Sequence, residues 1–85
     1  MRSFMYTIKA PVGMHARHAG LLVREAQRWK SDVTLSKGDK STDAKRILGV
    51  MGLGAKQGDL VRIDVEGEDE DAAALKLKAF LWEHF

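Results

Sequence analysis

The sequence predicts an α+β fold, an open-faced sandwich of order β-α-β-β-α-β-α with a four-stranded antiparallel sheet covered on one face by three helices. Three features lead there. Apolar residues alternate with a period of two in short stretches, the pattern of strands with one buried face. Longer segments carry an apolar stripe at helical spacing. Strands with one polar face suit an antiparallel sheet whose helices lie on one side. A chain of 85 residues is the size of one domain, residues 1–85.

The elements follow in order. Phe4, Tyr6 and Ile8 alternate through residues 4–8, a strand that Pro11 and Gly13 end. From Ala16 to about Trp29 the apolar positions Ala19, Leu22, Val23, Ala26 and Trp29 make a helical stripe, with Arg17, Arg24, Gln27 and Arg28 opposite. Val33 and Leu35 alternate again, Gly38 supplies a turn, and a short returning strand is expected through about residues 40–44. Residues 46–53 read as a helix of two turns, with Gly54 suited to its C-terminal stop. Val61, Ile63 and Val65 alternate with Arg62, Asp64 and Glu66 in the clearest strand, which Gly67 ends. The acids at 68–71 then oppose the positive end of a last helix, whose stripe is Ala73, Leu77, Phe80 and Leu81. Trp82 and Phe85 fit either the core or an exposed position, and His84 is expected at a solvated end.

Composition excludes several function classes. With 45% hydrophobic and 31% charged residues the chain falls among soluble globular proteins, away from the disordered class. The absence of cysteine removes disulfides, zinc–thiolate sites and thiol catalysis. The first ten residues interleave polar and apolar positions, which fits neither a signal peptide nor a spanning helix; no membrane insertion and a cytoplasmic location are expected. A net charge of +2, without aromatic residues placed for base stacking, argues against nucleic acid. Arg17, Arg24, Arg28 and Arg46, ahead of the acidic stretch at 66–71, form either a basic patch for an acidic protein partner or a solvated face.

The chemistry concentrates in Gly13-Met14-His15-Ala16-Arg17-His18-Ala19-Gly20, where a loop gives way to the first helix. The first N–H groups of a helix lack internal partners and the dipole there is positive, so an anion such as phosphate is received readily. That field also opposes an imidazolium, and the neutral imidazole is the nucleophilic form. Arg17 adds a fixed cation whose donors match phosphate oxygens. No Walker loop, carboxylate pair or serine–base arrangement is visible nearby. On local signal alone, a histidine at a helix start is more often a polar boundary residue than a nucleophile.

The whole chain resembles HPr, the phosphocarrier of the bacterial phosphoenolpyruvate-dependent sugar phosphotransferase system. The family pattern Gly-(apolar)-His-(small)-Arg-Pro-(small)-(small) is matched by residues 13–20 except at His18. A second stretch, Lys45-Arg46-Ile47-Leu48-Gly49-Val50-Met51-Gly52-Leu53-Gly54, resembles the family's Lys-Ser-(apolar)-(apolar)-Gly-Val-Met-x-Leu. The resemblance implies that phospho-enzyme I phosphorylates His15 and that the group passes to an enzyme IIA domain. It implies that Arg17 and the backbone N–H groups of Ala16 and Arg17 hold the phosphoryl oxygens. It assigns partner docking to Gly20, Arg24, Arg46, Ile47, Leu48 and Met51. It implies a monomer with no metal and no cofactor, and a relay protein more than a stand-alone enzyme.

Two positions depart from the family. His18 stands where proline is usual at the first helical turn, and three readings stay open for it: a neutral surface substitution, a modulator of His15 or its phosphate, and half of a metal pair, a poor site without a third ligand. Arg46 replaces a serine that many Gram-positive relatives use for kinase control, so that control cannot operate there. The alternative function is a regulatory HPr-like protein that binds and controls an enzyme or transcription factor. A weaker one is a small hydrolase of the acylphosphatase kind, although the chain contains no asparagine to orient water.

Overall fold

The computed structural model describes residues 1–11 and 15–85. Its elements run β1 (Arg2–Thr7), α1 (Ala16–Gln27), β2 (Asp32–Lys37), β3 (Lys40–Asp43), α2 (Ile47–Gly52), β4 (Leu60–Glu66) and α3 (Glu70–His84). The expected order is observed. The sheet is antiparallel throughout, with strand order β1-β4-β2-β3. β4, the most regular alternation in the sequence, is a central strand: Ile63 pairs with Phe4 on one side and with Leu35 on the other.

That register puts the apolar residues of β1, β2 and β4 on one face. Tyr6, Val33, Leu35, Val61, Ile63 and Val65 are buried there beneath Ala19, Leu22, Val23 and Ala26 of α1, Val50 of α2, and Ala73, Leu77 and Leu81 of α3. The open face carries polar pairs instead. Asp64 Oδ1 accepts from Ser3 Oγ at 2.5 Å and from Arg62 Nε at 2.9 Å. The Ser3 hydroxyl, and then the Arg62 guanidinium, hold the Asp64 carboxyl below its ordinary value.

α1 stops two residues earlier than its apolar stripe suggests, at Gln27. The chain is drawn out of the helix by bonds made just beyond it. The Trp29 carbonyl accepts Lys45 Nζ at 2.7 Å, and the Lys30 and Ser31 amides each donate to the Asp69 carboxylate at 2.9 Å. Asp69 thus ties the α1–β2 turn to the start of α3; Glu70 and Asp71 are the acids in that helix's first turn.

Glycine is required in the same corner. Gly67 has φ +154°, and a Cβ there would lie 2.6 Å from Ser31 Cα. Gly49 answers a different need: within α2, a Cβ would fall 2.0 Å from the Thr42 hydroxyl oxygen, so its bare backbone lets α2 lie on β3. α2 is shorter than two full turns, and Gly54, at φ +63°, ends it by donating its N–H to Met51 O at 3.1 Å.

Candidate functional site

His15 is the N-cap of α1. Its φ of −69° and ψ of 164° are extended, its carbonyl accepts the first helical N–H from Ala19 at 2.7 Å, and its side chain caps nothing. The imidazole is therefore not committed to closing its own helix, and the residue is exposed. Ala16, Arg17 and His18 form the first turn, where N–H groups have no acceptor within the helix. Ala16 and Arg17 are exposed, and the first turn contains no acidic residue. Nothing anionic in that turn competes with an incoming phosphate. Gly13 and Met14, which open the motif, lie outside the described residues.

The expected docking residues divide between two helices brought side by side. Gly20, half-buried on α1, faces Ile47 of α2, whose Cδ1 lies 3.6 Å from where a Cβ would stand. Gln27 Nε2 donates to Lys45 O at 3.1 Å and fixes the other end of the contact. Ile47, Leu48 and Met51 remain open to solvent, Leu48 at 81%. That is an unusual place for a leucine unless another surface covers it. Arg24 is exposed in the last turn of α1. Arg46 is the N-cap of α2, and its guanidinium, largely exposed, stands 3.8 Å from Asp43, too far for a strong pair. The exposed Arg46 thus directly precedes the apolar residues of α2.

The C-terminal residues join this neighbourhood, which the sequence left undecided. Phe85 is buried, and its carbonyl oxygen accepts the N–H groups of Lys9 and Ala10 at 2.5 and 2.6 Å, just ahead of the His15 segment. His18 is half-buried with its ring edge-on to Phe85, centroids 5.2 Å apart. His84 is exposed, as expected, but its ring rests on Phe80 at 4.5 Å. Trp82 takes the exposed alternative at 69%, edge-on to Tyr6 and beneath the Lys9 ammonium. No periodicity could have signalled these contacts, because they depend on where α3 ends relative to β1.

Two surface grooves lie away from His15. One, of about 470 Å³, runs between β1 and α3 along Met5, Tyr6, Leu75 and Trp82; the other, of about 540 Å³, lies on the open sheet face at Leu60, Arg62 and Asp64. Neither is lined by His15 or Arg17. Among the described residues no cluster of three or more histidine, aspartate or glutamate side chains could hold a metal, and no helix is long and apolar enough to cross a membrane.

Comparison with known proteins agrees with this geometry. The family described as PTS HPr component phosphorylation site matches residues 2–83. Phosphocarrier protein HPr of Lysinibacillus sphaericus is 42% identical over 83 residues, covering 98% of this chain and 94% of that protein. A crystal structure of HPr-C-His from Thermoanaerobacter tengcongensis superposes with a TM-score of 0.95 at 36% identity, over 100% of this chain and 96% of the other. The crystal structure of Crh, the catabolite repression HPr of Bacillus subtilis, described as a swapped dimer, gives 0.78 at 39% identity, over 99% and 97%. An open-faced sandwich of this topology, an exposed histidine at the N-cap position of its first helix, and likeness along nearly the whole chain place the protein in the HPr phosphocarrier family.

Proposed function

We propose that this chain is a phosphoryl carrier of the sugar phosphotransferase system, accepting phosphate on His15 from phospho-enzyme I and passing it to an enzyme IIA domain. The observation that carries the reading is an exposed N-cap imidazole, unused as a cap, beside the exposed Arg17 and the unpaired N–H end of α1. A carrier must put its nucleophile inside another protein's cleft, and a group on a convex helix end does that.

The step is a displacement at phosphorus. A lone pair of the His15 imidazole forms the N–P bond while the donor's bond to phosphorus breaks, the electron pair leaving with the donor. The Ala16 and Arg17 N–H groups and the Arg17 guanidinium receive the charge of the phosphoryl oxygens. Gly20, Ile47, Leu48 and Met51 supply the apolar centre of the docking face, and Arg24 and Arg46 its basic rim, suited to acidic surfaces on both partners. The working unit in this account is a monomer without metal or cofactor, in the cytoplasm with its partners.

The regulatory alternative draws on the likeness to Crh. His15 and Arg17 together favour the relay, because a protein that only binds has no use for the nucleophile. Incubation with enzyme I and labelled phosphoenolpyruvate tests this. Acid-labile label that disappears in His15→Ala and persists in His18→Ala is the expected result; an unlabelled wild-type chain would favour the regulatory reading.

A further inference from the structure

The relay uses His15 and Arg17 but leaves another imidazole of the same turn without a task. His18 is the third helical residue after the His15 N-cap. These are the two positions that meet across a first turn in a capping box. Residues three apart stand about 5–6 Å from each other at Cβ. Helical side chains also lean toward the N-terminus, which points His18 toward the end that holds His15. Its ring is seated by packing, half-buried and edge-on to Phe85. Phe85 is itself held by its N–H to Leu81 O at 2.8 Å and by the Lys9 and Ala10 amides.

The charged and titratable groups in the first turn of its own helix and on the segments that meet at Phe85 are these. On its own helix they are His15 and Arg17. The segment after β1 brings Lys9, whose ammonium sits 3.7 Å from the Trp82 ring centroid. The last turn of α3 brings Glu83, which is exposed, and His84, whose ring lies on Phe80. The first turn of α1 has no acid. The dominant new charge beside His18 is then the phosphoryl dianion on His15. An opposite charge at such range favours the protonated imidazole.

Resting on the relay reading, we propose that His18 is a positioning residue and proton-linked counter-charge for the phosphoryl group. It takes up a proton from water when His15 is phosphorylated and returns it when the group leaves. The N–P bond is made and broken on His15 alone; His18 contributes only an N–H and a charge. Arg17 gives a charge that pH does not alter, whereas His18 links phosphate retention to pH. Acidification across the range where histidine titrates favours the phosphorylated form over the free one.

The test phosphorylates the ¹⁵N-histidine protein chemically with phosphoramidate, so that it does not depend on enzyme I, and isolates the species carrying one phosphate on His15. The His18 ring nitrogens are followed by NMR between pH 5 and 9 in both forms, a range chosen about the ordinary histidine value. The expected result is that His18 titrates at a higher pH in the phosphorylated form, and that phosphoryl exchange with an acceptor protein loses part of its pH dependence in His18→Gln. Coincident His18 titrations in the two forms, or an unchanged pH dependence in His18→Gln, would overturn the proposal. Either outcome leaves the relay reading intact, since that fails only if enzyme I does not load His15.

Discussion

At the scale of single residues, the proposed relay gives two side chains different duties. Loss of the His15 imidazole removes the only atom in this account that bonds phosphorus, so His15→Ala should abolish loading. Arg17→Ala keeps the nucleophile and removes a donor for the charged oxygens; stopped-flow transfer should slow by about 10²-fold, the usual effect of deleting one such donor. The Gly-x-His-x-Arg run before the apolar stripe marked a helix start in the sequence, and His15 is the N-cap there; the two roles came from the family resemblance. The place of His18 was not legible. Its position in the first turn was visible, but its packing partner Phe85 lies 67 residues further along.

Asp69 stands at the helix start where the sequence put it, and it also serves a neighbour that the sequence does not mark. Its place in an acidic run suggested a charge at a helix start, and its carboxylate spends its bonds on Lys30 and Ser31, across the fold. The Ser31 hydroxyl first, and then the Lys30 amide, lower its pKa below the ordinary value of 3.8. A carboxyl depressed by folding stabilises the folded state fully above its unfolded value, and that contribution fades as pH falls through the folded one. Urea midpoints of the native protein should therefore drop below pH 4, and Asp69→Asn should flatten part of that slope.

At the scale of elements, the strands were easiest to read and the helix ends hardest. β4 could be recognised from Val61, Ile63 and Val65 because a sheet buried on one face demands alternation. The end of α1 was misjudged because Trp29 continues the apolar stripe while its carbonyl accepts Lys45 Nζ and the next two amides are clamped by Asp69. Gly67 is the hinge of that clamp. Gly67→Ala adds a Cβ against Ser31 Cα at a φ unfavourable to side chains. It should cost at least about 2 kcal/mol in chemical denaturation. Gly49, inside α2, lies against Thr42, a close approach that nothing in the residue pattern marked.

For the whole molecule, the proposed relay would leave stability and exchange with partners to different parts of the fold. The buried layer between sheet and helices holds the fold, while His15, Leu48 and Arg46 all project from the helical side with little to hold them. Leu48→Asp should weaken docking to enzyme I by tenfold or more, an effect of about 1.4 kcal/mol. Its melting temperature should stay near that of the native chain, because the residue is 81% exposed. The fold class was legible from periodicity. The expectation of a docking face came from resemblance, since an exposed Leu48 in a short helix carries no periodic signal of its own.

Mapping the phosphate most directly tests the central claim. The protein is loaded with enzyme I and phosphoenolpyruvate and digested at neutral pH, and the modified residue is identified by mass spectrometry before and after addition of an enzyme IIA domain. The account predicts one phosphate, on His15, that is lost from this chain as it appears on the acceptor. Phosphate found on another residue, or retained on His15 in the presence of the acceptor, would contradict it.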